Sequence, residues 1–162
     1  MDQEIKYFIF TIFIFGFTSV IVQSLFVPFI EINFWRPDFV LIIVLLMGKR
    51  FGSVKGSTAG FILGLLQDSL SSLPVGITAL PKVIAGYAGG KVKTLKLEGT
   101  SYYLWFMLFI FIHELITFFF FQYKTDLSYT YLIFSRVFPN TIYSTAMLFV
   151  INILSGKYFS ED

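Results

Sequence analysis

Cysteine is absent, and histidine occurs once, at His113. The first absence excludes disulfides, thiol catalysis and cysteine-ligated metals. The second leaves His113 without the neighbouring ligands that a metal site needs, so no metal is expected. Charge is scarce as well. Asp, Glu, Lys and Arg make up 14% of the chain, where an ordinary soluble domain carries about a quarter. The net charge of +2 is too small to point to nucleic acid. No phosphate-binding loop is present: Gly89–Gly90 precedes Lys91 but lacks the strand and spacing of such a loop. Ser71 and Ser72 have no general base nearby in sequence. The chain therefore reads as a non-enzyme without a cofactor. Internal repeats, low-complexity tails and the inverted symmetry of many transporters are not apparent either.

What fills the chain instead is apolar and aromatic. Hydrophobic residues make up 56% of its 162 residues, and phenylalanine alone occurs 22 times. A soluble domain of this length cannot bury so much apolar surface, so the bilayer is the expected solvent. The length suits a single membrane domain over 1–162. Asp2 and Glu4 precede Lys6, so the first apolar run lacks the positive start of a cleavable signal.

Runs of apolar residues place helices at about 7–27, 37–47, 54–69, 75–90, 100–121 and 130–154. The first is expected to end before Pro28 and the second to open near Pro37. Ser71 to Gly76 reads as a turn. Pro139 is expected to kink the last helix or to mark where an interfacial stretch becomes the span. The cations cluster. Lys49, Arg50 and Lys55 follow the second helix, Lys91, Lys93 and Lys96 follow the fourth, and Lys6 and Lys157 sit near the ends. Six crossings put all of these on one side and leave Arg36 and Lys124 opposite, whereas five would split them. By the positive-inside rule both termini are cytoplasmic. The expected architecture is an all-α, compact bundle of six transmembrane helices in a plasma membrane.

Gly56, Gly60 and Gly64 recur every four residues, followed at the same spacing by Asp68, and so form one stripe on a helix. Such a stripe lets another backbone approach closely, either from the same chain or from a partner. Gly86 suggests that the fourth helix is tightly packed too. Asp68, Lys82, His113, Glu114 and Arg136 lie within or at the ends of apolar segments, where an unpaired charge is costly. At their expected depths, Lys82 and Arg136 face Glu114, with Asp68 above them. The bland reading is polar glue that fixes helix register. The sharper one is a pocket or conduction path, and a third lets Arg136 snorkel to the interface unpaired.

The stretch from Arg36 to about Lys91 resembles the MreD family of bacterial rod shape-determining membrane proteins. Arg36-Pro37-Asp38, the run GSTAGFILGLLQD at Gly56 to Asp68, PVGITAL at Pro74 to Leu80, and Gly86-Tyr87 carry the likeness. Near the C-terminus Pro139 fits the family pattern, with Ser144 at the polar position that follows. The resemblance implies a fold similar to the six-helix substrate-binding subunits of energy-coupling-factor vitamin transporters. It implies a non-enzymatic subunit of the cell-elongation machinery that associates with the bitopic protein MreC. It also implies links to RodA and its transpeptidase partner in peptidoglycan synthesis, and indirectly to MreB. On this reading Gly56, Gly60, Gly64 and Gly86 are packing or partner surfaces, and Arg36, Asp38 and Asp68 are outer-end polar contacts. The basic loops then meet membrane lipid. Two other readings use the Lys82, His113, Glu114 and Arg136 cluster: a vitamin-binding transporter subunit and a lipid-handling protein. The first expects an alanine docking pattern in helix 1, which contains no alanine.

Overall fold

A computed structural model describes residues 3–71, 74–122 and 128–159, with backbone alone at 121 and 155–159. Lys124, Ser72 and the Lys157 side chain fall outside that description. Among the described residues every regular element is helical. Three helical runs, Gln3–Leu25, Gly99–Phe120 and Tyr129–Leu154, are long and apolar enough to cross a membrane. Their outward faces carry exposed apolar side chains such as Phe13, Phe17, Leu104, Ile142 and Leu154, as a surface against lipid does.

The first run comprises α1 (Gln3–Thr11), a π-helical turn at Ile12–Gly16 and α2 (Phe17–Leu25). It begins four residues earlier than expected, and a helical turn, α3 (Val27–Ile30), passes through Pro28. Proline is tolerated there because the helix restarts at Phe26, and a first-turn residue donates no intrahelical bond. Three shorter helices follow: α4 (Phe39–Phe51), α5 (Ser53–Ser69) and α6 (Ala79–Thr94). Then come α7 (Gly99–Gln122), α8 (Tyr129–Leu132), a second π turn at Ile133–Val137 and α9 (Phe138–Phe159).

The centre of the bundle is α4. Every residue from Val40 to Gly48 is buried. A helix apolar all round demands cover on every side, and α2, α5, α6 and α9 provide it. Gly52 alone joins α4 to α5, at φ +92° and ψ 170°. Side-chain-bearing residues rarely adopt that conformation, so a one-residue reversal needs glycine. The fourth expected helix starts at Ala79 rather than 75. Asp68 explains the delay: its carboxylate accepts from Gly76 N at 2.7 Å, Thr78 N at 3.2 Å and Thr78 Oγ1 at 2.6 Å. Those bonds hold the residues before Ala79 in a turn.

The glycine stripe lies against α6 of the same chain. A Cβ on Gly60 would fall under 3.0 Å from the carbonyl carbon and oxygen of Lys82. Gly56 meets Gly86 in the same way, and Gly64 meets Ala79. Gly48 on α4 also abuts Gly86, while Gly89 abuts the Leu45 carbonyl. Three backbones thus touch, which maximises the van der Waals contact that holds helices together in lipid. Of the two readings of the stripe, this geometry is intramolecular packing.

The cations collect at one end of the bundle. Lys55 pairs with Glu4 at 3.0 Å, Lys93 donates to the Arg50 carbonyl at 3.0 Å, and Lys49 lies 4.3 Å from the Tyr102 ring centre. The starts of α1, α5 and α7 therefore share an end with the finishes of α4 and α6.

Gly60→Ala is expected to destabilise the fold by about 2 kcal/mol or more, because backbone atoms cannot step aside as a side chain does. Phe61→Ala, on the exposed face of the same helix, should cost far less in the same thermal melt in detergent. Equal melting of Gly60→Ala and the parent protein would refute the packing assignment.

Candidate functional site: a buried polar network

The opposite end holds the polar residues. Asp38 caps α4, its Oδ1 accepting from Leu41 N at 2.8 Å. A short polar side chain at this position satisfies an amide that the helix leaves free. Its second oxygen, Oδ2, accepts from Lys82 Nζ at 2.8 Å. Lys82 is 0% exposed. It reaches Asp38 because the contact of Gly60 with the Lys82 carbonyl presses α6 into the bundle. The same ammonium lies 3.1 Å from His113 Nε2 on α7. His113 Nδ1 in turn sits 3.4 Å from Glu114 Oε1, and Glu114 Oε2 accepts from Asn140 Nδ2 at 3.0 Å. The network therefore ties α4, α6, α7 and α9 together at one level.

The pairing differs from the sequence expectation. Lys82 pairs with Asp38, not Glu114, because Asp38 lies inside the bundle rather than at an exposed outer contact. Glu114 takes a neutral partner, Asn140. Arg136 does not reach Glu114. Its guanidinium lies 4.4 Å from the Phe34 ring centre and donates to the Phe34 carbonyl at 3.0 Å. Asp68 is fully buried and serves the turn before α6 rather than the cluster. Arg36 is exposed, with Glu31 at 3.7 Å, and its backbone N–H donates to Asn140 Oδ1 at 3.1 Å. Of the expected polar residues, Asp38, Lys82, His113 and Glu114 come together, while Arg36, Asp68 and Arg136 stand around them.

Several partners had no strong signal in the sequence. Gln23 on α2 bridges the Arg36-Pro37-Asp38 segment, donating to the Pro37 carbonyl at 3.1 Å and accepting from Phe39 N at 2.8 Å. Asn140 and Ser144 lie one turn apart on α9, and Ser144 Oγ accepts from Asp38 N at 3.0 Å. A helical spacing of four from Asn140 to Ser144 was the available clue. Pro139 has a further consequence. Lacking an N–H, it leaves the Ser135 carbonyl four residues back without its helical partner, and Trp35 Nε1 donates to that carbonyl at 3.0 Å. Trp35 closes a two-residue turn whose central residues, Asn33 and Phe34, have φ of 51° and 71°. Positive φ at both central residues is the signature of a type I′ turn, and it is rare for phenylalanine. Arg136 and Trp35 together hold that turn against α9.

A buried ion pair gains little over an apolar pair, but leaving one partner alone is costly. Lys82→Met is expected to destabilise the protein by about 3 kcal/mol or more, and Lys82→Met with Asp38→Asn by clearly less. Arg136→Leu should cost about 1 kcal/mol or less. Unfolding of these three variants and of Asp38→Asn alone in detergent checks this. Additive losses for Lys82 and Asp38 would mean that the pair is not coupled.

The family model described as rod shape-determining protein MreD matches residues 2–160. No curated protein and no solved structure matches the chain. The match takes in every element that builds the network, from Gln23 on α2 to Ser144 on α9. The chain is a membrane protein of the cell-shape class and belongs to the MreD family of rod shape-determining proteins.

Proposed function

We propose that the protein is a non-enzymatic, six-crossing subunit of the bacterial cell-elongation machinery, resident in the plasma membrane with both termini cytoplasmic. Its partner is an MreC-like bitopic protein. RodA, its transpeptidase partner and, indirectly, MreB are reached through the same assembly. The observation that carries this reading is the family match across residues 2–160. The character of the buried polar groups supports it. Asp38, Lys82 and one carboxylate oxygen of Glu114 are occupied in fixing helices, and the glycine stripe is filled by α6. What remains for a partner is the lipid-facing side of the long helices and the basic end. The gathering of Lys49, Arg50, Lys55 and Lys93 at one end supports a cytoplasmic placement of that end.

Affinity purification of the tagged protein from its native membrane in mild detergent, with mass spectrometry of what is retained, tests the function. Co-purification of an MreC-like protein and wall synthases is expected. Recovery of an ATPase pair or a stoichiometric vitamin would overturn it. The absence of cysteine makes the topology directly testable. Lys93→Cys should react with a membrane-impermeant maleimide only in inverted vesicles, and Phe29→Cys only in intact cells. The reverse pattern would invert the proposed orientation.

A further inference from the structure

Three buried polar atoms with no hydrogen-bond partner, Gln67 Oε1, His113 Nδ1 and Thr117 Oγ1, belong to residues that line one cavity. The cavity holds about 270 Å³ at the end of the bundle where α4 begins, and Glu114, Arg36 and Arg136 also line it. His113 is 2% exposed. Its Nε2 faces the Lys82 ammonium, a donor, so the ring proton is assigned to Nδ1. The nearest acceptor for that proton, Glu114 Oε1, lies 3.4 Å away without completing a hydrogen bond. Gln67 Oε1 thus has no donor and Glu114 Oε1 only the long His113 contact, and both residues line the cavity. Buried polar groups left unmatched are rare enough to ask what matches them.

The cavity sets charged and polar side chains among apolar walls, and two of the charged groups are arginines, Arg36 and Arg136. Arg136 uses one guanidinium N–H on the Phe34 carbonyl, and Arg36 holds Glu31 at 3.7 Å. A guanidinium carries five N–H donors, so both retain capacity for an anion. Beside the cavity lies an apolar groove of about 520 Å³ between α7 and the α8 segment, lined by Leu115, Ile116, Phe119 and Ile133 among others. Phe118 and Leu132 line both spaces. A chamber bearing charged side chains that shares walls with an apolar groove fits an amphiphile better than a small soluble molecule.

We propose that cavity and groove together bind a zwitterionic aminophospholipid. Its primary ammonium faces Glu114 and Gln67, its phosphate faces Arg136 and Arg36, and one acyl chain lies in the groove. A quaternary ammonium offers no N–H to the two acceptors, and an uncharged glycerol offers no positive charge to Glu114. The site therefore selects phosphatidylethanolamine over phosphatidylcholine and phosphatidylglycerol. This inference does not depend on which protein partner the chain meets.

Native mass spectrometry of the full-length protein in detergent, equilibrated with equal amounts of these three lipids, tests it. Preferential retention of phosphatidylethanolamine is expected. Glu114→Gln should weaken it about tenfold, the scale of one charge-assisted hydrogen bond. Ile133→Trp, which fills the groove without lining the cavity, should weaken the lipid equally but leave any binding of soluble O-phosphoethanolamine unchanged. Should Glu114→Gln fail to fold, Gln67→Leu carries the same test, because its oxygen makes no bond that the fold needs. Equal retention of all three lipids, retention of none, or unchanged selectivity in the folded variant would overturn the proposal. So would full competition by O-phosphoethanolamine together with indifference to Ile133→Trp, which would identify a soluble ligand.

Discussion

Contact between the backbones of α5 and α6 at Gly60 sets the position of nearly everything else. Lipid provides no hydrophobic push between helices, so association rests on how closely atoms approach. Gly56, Gly60 and Gly64 remove the side chains from one face of α5, and Gly86 and Gly89 do the same on α6. The two helices and α4 then meet backbone to backbone. With α6 pulled this far inward, Lys82 cannot reach an aqueous surface. Its ammonium must be satisfied inside, and Asp38 and His113 satisfy it at 2.8 and 3.1 Å. The glycine contact and the ion pair are therefore one device: close packing buries the charge, and the charge then fixes which residues face each other.

Helix length explains why the polar groups sit at one end. At 13 residues, α4 rises about 20 Å, whereas a hydrocarbon core is about 30 Å thick. The shortfall cannot be filled by bare backbone in lipid, because unpaired amides and carbonyls are too costly there. The Arg36-Pro37-Asp38 segment leads into α4 as non-helical backbone, and three of its polar groups are met by side chains from neighbouring helices. Gln23 covers the Pro37 carbonyl, Asn140 the Arg36 amide and Ser144 the Asp38 amide. The motif is thus a non-helical segment held against the bundle by three polar side chains, and the cavity lies beside it.

Much of this was legible in the sequence, and the misses have physical causes. Helix positions followed from apolar run length, and the glycine stripe from its spacing. The gathering of cations at one end followed from where Lys49, Lys55 and Lys93 fall between apolar runs. The pairing of Lys82 did not follow. Depth along each helix can be counted from sequence, but the rotation that decides between Asp38 and Glu114 depends on packing. The late start of α6 was missed for a related reason. Composition marks Ser71 to Gly76 as a turn, but that the turn runs on through Thr78 depends on Asp68, eight to ten residues back, holding Gly76 and Thr78. Gln23, Asn140 and Thr117 carry no charge, and an isolated amide or hydroxyl in an apolar run gives little signal before its partner is known.

Pro139 shows how a single residue can act at a distance from its own side chain. In sequence it reads as a kink. In the fold its missing N–H releases the Ser135 carbonyl, and that carbonyl holds the Trp35 indole. Trp35 closes the turn carrying the left-handed Asn33 and Phe34, and Arg136, one residue past Ser135, clamps the same turn from its other side. The turn in turn sets where Arg36 to Asp38 enter the bundle, and so where Asp38 meets Lys82. The proline of α9, the tryptophan of the first link and the lysine of α6 are separated widely in the chain. They belong to one path of bonds, so a change at Pro139 is a change in how Asp38 is presented, not a local bend alone.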